Sequence, residues 1–288
     1  MEHTLFEFTE KEQAAMRETA SRIDITQGQT LLLYGAAAQK KTAELCRELT
    51  AMAEARDPEE LNGIAQLTTE RIRGFYTEER IKRNILGLFK KREDREEMLR
   101  KKTDELSSAV AAAGDKLEKY QLELMKSMEV LEQKHMDAQS CAKMLSMYVQ
   151  AGKMKLTRER ETTLANMREI ARRTELAQDG KTAEAFERDC KKFERKLRDL
   201  AQTGSLCMEL QPVILKLKTA DAALSDALHD ALLGPIGRWK QSFSRDEACD
   251  ALERIVRVQA DNMLQRESAR KQLQALSEKL QQKIPEVL

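Results

Sequence analysis

Two short pairs in the sequence combine a carboxylate with a histidine at a spacing that suits metal binding. Glu132 precedes His135 by three residues, and Asp226 precedes His229 by three. Residues three apart share a face of a helix, as the ligands of di-iron helical bundles do. If the chain turns back at Gly152, however, His135 lies about 17 residues from the turn and His229 about 77. Their levels along the paired helices then differ by about 60 residues, on the order of 90 Å of helix. We therefore expect no metal site and no cofactor.

Five cysteines are the other candidates for chemistry. They are widely spaced and contain no Cys-x-x-Cys pair, which is typical of reduced thiols in a cytosol. Cys141, Cys190 and Cys207 fall on apolar helix positions, where burial would make them poor nucleophiles. We expect Cys46 and Cys249 to be exposed, so any thiol reaction would use these two. The sequence contains no phosphate-binding glycine loop and no nucleophile elbow, so we expect a protein that is not an enzyme.

Charge is balanced overall but not locally. The chain has 50 Lys and Arg against 49 Asp and Glu, which removes the electrostatic reason to expect nucleic-acid binding. Only 4% of residues are aromatic, and there are 11 Gly and 4 Pro in 288 residues. This composition favours long helices. Residues 80–102, here called the basic segment, carry ten Lys and Arg against four Asp and Glu.

Two places in the sequence could contact a partner. The basic segment has an apolar stripe of Ile81, Ile85 and Phe89 beside Lys90 and Lys91. Such a helix binds anionic lipid, docks on a protein partner or packs on its own bundle, and the pattern does not choose among these.

The second place follows the corner at residues 234–237. Trp239 and Phe243 come directly after it, either as a hydrophobic plug at the end of a bundle or as an exposed anchor for a protein partner.

The elements that position these residues are long helices. Apolar residues recur every three or four positions from about residue 92, and we expect this first helix to end at Gly152. A second helix is expected from Leu156 to residue 233. Pro212 is expected to kink it, and Gly180 leaves its continuity open. A third covers residues 238–283, with Met263 among its apolar positions.

The prediction is an all-α protein, an elongated antiparallel bundle of three long coiled-coil-like helices preceded by shorter ones. We expect an N-terminal region of short helices over residues 1–90 and the long bundle over residues 91–288. The sequence does not indicate the oligomeric state.

Several short motifs follow one another in a recognisable order. Residues 31–39 read Leu-Leu-Leu-Tyr-Gly-Ala-Ala-Ala-Gln, and residues 148–152 read Tyr-Val-Gln-Ala-Gly. Residues 235–241 contain Pro and then Trp-Lys-Gln, and residues 261–264 read Asp-Asn-Met-Leu. Over about residues 30–270 the chain resembles the TelA-like toxic anion (tellurite) resistance proteins. The motif residues are Tyr34, Gly35, Gln39, Tyr148, Gly152, Pro235, Trp239 and Asn262.

This resemblance implies a bacterial, cytoplasmic helical protein linked to resistance against tellurite and to envelope stress, and it brings no catalytic residues. We expect a non-enzymatic scaffold that acts through protein partners, with membrane contact through the basic segment as a further interpretation. Two alternatives stay open: thiol-dependent reduction or sequestration of the oxyanion, and a purely architectural, spectrin-like spacer. Tyr34, Gly35 and Gln39 are expected to fix helix packing.

Overall fold

The computed structural model of the chain describes residues 6–54, 58–85 and 92–283. These residues form α-helices joined by short turns, and no strand occurs among them, so the all-α prediction is confirmed. A five-residue π-helical segment, Arg160–Leu164, continues one of the helices. The helices are α1 (Glu10–Arg22), α2 (Gly28–Leu33), α3 (Ala36–Glu54), α4 (Pro58–Ile85), α5 (Arg92–Glu159), α6 (Ala165–Thr174), α7 (Ala177–Leu233), α8 (Trp239–Ser242) and α9 (Arg245–Gln281).

The chain divides into two compact units, and neither is a continuous stretch of sequence. Unit 1 comprises Met1–Ala51, Lys134–Val213 and Lys271–Leu288. Unit 2 comprises Met52–Gln133 and Ile214–Arg270. The long helices α5 and α7 therefore contribute residues to both units. The boundary expected at residue 90 falls outside the described residues and stays a prediction.

The first long helix does not end at Gly152, so that prediction is wrong. α5 continues to Glu159, and the helical path runs on through the π-helical segment and α6 to Thr174. The chain turns only at Glu175, which adopts the left-handed conformation with φ of 52°. Gly152 lies inside the helix, at a point where α7 packs closely against it. An added Cβ at this position would come within 2.3 Å of the Leu197 side chain. The glycine thus serves close helix packing rather than termination.

This change also removes the premise of the metal argument. The estimate of about 90 Å between the two histidines assumed a turn at Gly152, and the turn lies 23 residues later, at Glu175.

α7 is continuous through Gly180 and Pro212. The second long helix therefore begins at Ala177 and not at Leu156. The expected stop after residue 233 is confirmed, because α7 ends at Leu233. The corner that follows requires glycine: a Cβ on Gly237 would lie 1.9 Å from the Leu232 carbonyl oxygen. The third long helix is present as α9, preceded by the single turn α8.

Unit 2 is built from α4, the first part of α5, the second part of α7, and most of α9. Its contacts run in opposite sequence directions: on α5 and α7, Gln121 donates to the Ser225 carbonyl oxygen, and Glu132 pairs with Lys218. α7 and α9 are antiparallel in the same way. The core of the unit is a continuous apolar cluster. Its members include Leu61, Ile72, Leu117, Leu124, Leu228, Trp239, Leu252 and Ile255.

Unit 1 combines α1, α2 and most of α3 with the second part of α5 and the first part of α7. α1 begins at a capping box, in which Thr9 and Glu12 satisfy each other's backbone N–H groups. Met16 and Ala20 of this helix pack on Ala151 of α5, so the capped helix is fixed against the long one.

Candidate functional site

In unit 1 the structure brings together motif residues that lie far apart in the sequence. The Tyr34 hydroxyl donates to the Tyr148 carbonyl oxygen at 2.7 Å, and their rings meet edge to face at 5.4 Å. Phe193 completes an aromatic cluster with Tyr34. Gly35 has φ of 68°, and an added Cβ would lie 2.7 Å from the Leu200 side chain. Glycine is therefore required there both for conformation and for space.

Gln39 is the centre of a buried hydrogen-bond group in the same unit. Its amide nitrogen donates to the Thr203 hydroxyl and to the Lys283 carbonyl oxygen, both at 3.1 Å. Its amide oxygen accepts from Lys196 Nζ at 2.9 Å. Burial lowers the pKa of the Lys196 amine below its ordinary value. The side chain of Gln39 thereby links α3 to α7 and to the residues after α9.

In unit 2 a buried polar layer crosses the apolar core. The Arg266 guanidinium donates to both carboxylate oxygens of Asp221, at 2.7 and 2.8 Å. Its other nitrogens donate to Asn262 Oδ1 and to the Met52 carbonyl oxygen. Asp221 also accepts from Asn262 Nδ2 at 3.0 Å and from the Ser127 hydroxyl at 3.1 Å. Every nitrogen of the Arg266 guanidinium and both oxygens of the Asp221 carboxylate therefore have a hydrogen-bond partner.

Sequence reasoning found only Asn262 of this layer. Asp221 lies four residues after Leu217 and three before Leu224, so a charge occupies an apolar position of the second long helix. That interruption was the available signal. In α9 the prediction chose Met263 as an apolar core position, but Met263 is exposed and Asn262 is buried. The polar layer displaces the expected apolar face by one residue at this point.

The two predicted contact residues at the corner after α7, Trp239 and Phe243, differ in how far they are exposed. Trp239 is 2% exposed and belongs to the unit 2 core, as the plug interpretation expects. Phe243 is 39% exposed and packs edge to face on the indole at 5.7 Å. Tyr76 of α4 donates from its hydroxyl to the Phe243 carbonyl oxygen at 2.8 Å. Pro235 lies half-buried within the corner itself.

A groove of about 630 Å³ runs beside this corner, within unit 2. One wall is α5, which contributes Asp115 and Glu118, and the other is the end of α7 with α8, which contributes His229 and Lys240. Trp239 lines the groove, and its indole N–H finds no acceptor among the described residues. The remaining lining residues are Ser107, Val110, Ala111, Gly114, Gln121, Leu232, Leu233, Ile236, Gly237 and Gln241.

The cysteine prediction is wrong for two residues, because Cys46 and Cys249 are buried like the other three. Cys46 packs under α9 and donates to the Leu273 carbonyl oxygen at 3.4 Å. Burial raises the pKa of Cys46 to about 11 and also raises the pKa of Cys249. Neither thiol has the exposed, ionised character that a reactive cysteine requires.

Three of the four residues in the carboxylate–histidine pairs have other surroundings. Glu132 forms an ion pair with Lys218, and His135 Nε2 lies 3.1 Å from Gln139 Nε2. His229 lines the groove. Across residues 6–54, 58–85 and 92–283, no three His, Cys, Asp or Glu side chains come together as metal ligands.

The apolar stripe of the basic segment lies largely beyond what the structure describes. Ile81 and Ile85 belong to α4, but their side chains are outside the described part, and Phe89, Lys90 and Lys91 are outside the described residues altogether. Within the described part of the chain, no helix combines the length and the apolar character needed to cross a bilayer.

Known proteins resemble this chain over most of its length. The family described as Toxic anion resistance protein (TelA) matches residues 16–249. A TelA-like protein of Staphylococcus epidermidis is 21% identical over 254 residues, which cover 84% of this chain and 66% of that protein. A TelA-like protein of Staphylococcus saprophyticus is 20% identical over 245 residues, covering 83% and 64%. An uncharacterized protein of Listeria monocytogenes is 21% identical over 267 residues, covering 90% and 66%.

The chain thus spans just under two thirds of the length of these curated relatives. No solved structure matches it.

Proposed function

Because this chain belongs to the TelA family of toxic anion resistance proteins, we propose that it protects cells against tellurite and related anions as a non-enzymatic interaction protein. The groove beside Trp239 is the surface that binds its protein partner. The observation that carries this proposal is the composition of that groove, an apolar floor between two charged walls.

The groove has the anatomy of a protein-binding surface. Val110, Ile236 and Trp239 form a buried apolar floor, and charged side chains stand at the rim. Interfaces commonly combine an apolar centre with a polar, hydrated rim. Leu233, which is 65% exposed, adds apolar surface at the edge. A partner segment that presents apolar side chains to the floor and charges of both signs to the walls would match this surface.

The rigidity of the corner supports the same proposal. Backbone hydrogen bonds from the Ile236 N–H to the Ala231 carbonyl oxygen and from the Arg238 N–H to the Gly234 carbonyl oxygen hold the chain after α7 in one course. Phe243 ends α8 in the left-handed conformation, with φ of 45°, and its carbonyl oxygen is held by Tyr76. A preformed surface loses less conformational entropy on binding, which favours affinity.

Charge reversal in the groove tests the proposal in cells. A strain that lacks the gene is complemented with wild type or with Glu118→Lys plus Lys240→Glu, and growth is measured over a tellurite series. The matched control is Glu123→Lys plus Lys119→Glu, which also leaves the net charge unchanged, at exposed positions of α5 outside the groove lining. We expect the groove variant to lose protection and the control to keep it. Equal protection by both would contradict the assignment of the groove.

The partner contact is tested by photocrosslinking. A photoreactive amino acid at Leu233, in the groove, should capture a protein in wild-type cells and lose it when Glu118→Lys is added. The same amino acid at Leu264, which is 68% exposed but outside the groove, is the control. Capture that is equal at both positions, or unchanged by Glu118→Lys, would argue against a specific partner at this surface.

The competing proposal is thiol-dependent reduction or sequestration of the oxyanion. It was based on exposed Cys46 and Cys249, and both are buried with raised pKa. Purified protein incubated with tellurite and a reductant distinguishes the two, since only an enzyme would give turnover.

A spectrin-like spacer is the third proposal, and it predicts that the groove charges have no effect on growth. For localisation we propose the cytoplasm, with membrane contact through the basic segment.

A further inference from the structure

Another groove of unit 2 lies between α4 and α5, separate from the groove beside Trp239. This α4–α5 cleft has a volume of about 350 Å³. Small residues leave it open: an added Cβ on Gly63 would meet no atom within 4 Å, and Ala109 and Ala112 line the α5 side. Leu67 lines the cleft and is 58% exposed, so apolar surface is left uncovered there. The other lining residues are Glu59, Glu60, Ile64, Thr68, Arg71, Ala113 and Lys116.

Four of the lining residues on α4 form a short seam with the spacing found in coiled coils. They are separated by four, three and four residues, so they share one face of the helix. In chain order they are Glu60, Ile64, Leu67 and Arg71, here called the α4 seam. The spacing is the same when the helix is reversed, and the order acid, apolar, apolar, base becomes base, apolar, apolar, acid. A reversed copy of the seam therefore matches the original at every position.

We propose that unit 2 docks on a second copy of this chain through the α4 seam, with the two α4 helices antiparallel about a two-fold axis. Glu60 then faces the partner subunit's Arg71, and Ile64 faces the partner subunit's Leu67. Each contact occurs twice, as in any interface of this symmetry. A parallel arrangement would instead place acid opposite acid and base opposite base, where like charges repel. This interface does not depend on the proposed function of the groove beside Trp239.

The charges of the cleft also favour a second copy of the chain. Its lining contains two acids and two bases, so two copies meet there without net repulsion. Glu60 and Arg71, at the two ends of the seam, are both exposed and therefore accessible to a partner. The seam covers eleven residue steps, about 17 Å of helix. An interface of this length is small, so we expect a dimer with a dissociation constant in the micromolar range.

Sedimentation equilibrium of the full chain tests the proposal. As the concentration rises through the micromolar range, the wild-type mass should approach twice 32.9 kDa. Glu60→Arg places bases opposite bases and Arg71→Glu places acids opposite acids, so each variant should weaken the dimer by at least about tenfold. Glu70→Arg, at an exposed position of the same helix outside the cleft, is the matched control and should leave the dimer unchanged.

Mixing the two variants tests the antiparallel pairing itself. Combined in equal amounts, the Glu60→Arg and Arg71→Glu proteins should form a mixed dimer, because each basic seam position of one chain then faces an acidic position of the other. The double variant, Glu60→Arg plus Arg71→Glu, exchanges the two charges and should self-associate as the wild type does. Circular dichroism of each variant checks that the helices are retained.

Three results would overturn the proposal. The first is a wild-type chain that stays monomeric throughout the series, which would leave the cleft to a partner of another kind. The second is a dimer as strong in both single variants as in the wild type, since the interface would then lie elsewhere. The third is a mixture of the two variants that associates no better than either variant alone.

Discussion

Replacing Asp221 with asparagine removes the carboxylate that the buried Arg266 guanidinium contacts. In the native unit the two side chains are 0% and 7% exposed, and the guanidinium donates to both carboxylate oxygens. Asparagine has nearly the same shape but no charge, so a cation is left buried without its counterion. Removing one partner of a buried ion pair costs about 3–5 kcal/mol of unfolding free energy. We expect Asp221→Asn to destabilise unit 2 by about this amount.

The chain offers a matched control on the same two helices. Arg254 of α9 pairs with Asp230 of α7 at 2.8 Å, but these side chains are 55% and 58% exposed. Water solvates an exposed charge when its partner is lost, so such pairs contribute about 0–1 kcal/mol. We expect Asp230→Asn to have an effect within that range. The contrast between the two asparagine variants isolates burial from the loss of an ion pair.

A double variant separates the ion pair from the packing of each side chain. Asp221→Leu with Arg266→Met replaces both charges with apolar side chains, which removes the uncompensated ion that either single substitution leaves. We expect the double variant to be more stable than the sum of the single effects predicts, by at least about 2 kcal/mol.

Urea denaturation measures these effects. Trp239, the only tryptophan, lies in the core of unit 2, so its fluorescence reports on the unit that contains the ion pair. A loss of about 3–5 kcal/mol moves the unfolding midpoint by about 1–2.5 M urea when the slope is near 2–3 kcal/mol/M. Asp221→Asn with a midpoint no lower than that of Asp230→Asn, or additive effects in the double variant, would refute the reasoning.

Three further predictions concern glycine, thiol and lipid contacts. Gly152→Ala should destabilise unit 1 by about 1–3 kcal/mol because α7 leaves no room for a Cβ. Gly180→Ala should instead stabilise its helix by about 0.5–1 kcal/mol, because an added Cβ there would meet no atom within 4 Å. Thermal unfolding of the two variants compares these effects. Cys46 should resist alkylation in the native protein. Because folding raises the pKa of its thiol from 9.0 to about 11, the free energy of unfolding should fall as the pH rises between these two values. Unchanged stability across that pH range would contradict this prediction. If the basic segment binds lipid, the protein should sediment with anionic but not neutral vesicles, and Lys90→Glu plus Lys91→Glu should abolish this.

Periodicity in the sequence predicted the helices well because most core positions are apolar. Leu117, Leu124 and Leu145 of α5 are fully buried, as their spacing predicts. The ends of the helices were harder to predict. Gly152 carries the usual signal for a helix end, but whether a glycine ends a helix or admits a neighbour depends on what packs against it. In this chain the neighbour is Leu197, which lies 45 residues away in the sequence.

The candidate sites were predictable to different degrees. Tyr34 and Tyr148 were both recognised as motif residues, but nothing in the local sequence indicated that they contact each other. Exposure of Cys46 was predicted wrongly, because a cysteine on a mixed helix face gives no signal of the backbone that will cover it. The pairing of Asp221 with Arg266 depends on the register between α7 and α9, which single-sequence periodicity does not fix.

The discontinuous sequence of the two units has a consequence for how the chain is made. Synthesis proceeds from the N-terminus, so every residue of unit 2 has been added once Arg270 is in place. Unit 1 contains residues that precede unit 2 in the sequence and also residues that follow it, and the Lys283 carbonyl oxygen accepts a hydrogen bond from Gln39. The hydrogen bond from the Gln39 amide to the Lys283 carbonyl oxygen therefore cannot form until 244 further residues have been added. On the ribosome, unit 1 is therefore begun before unit 2 and completed after it.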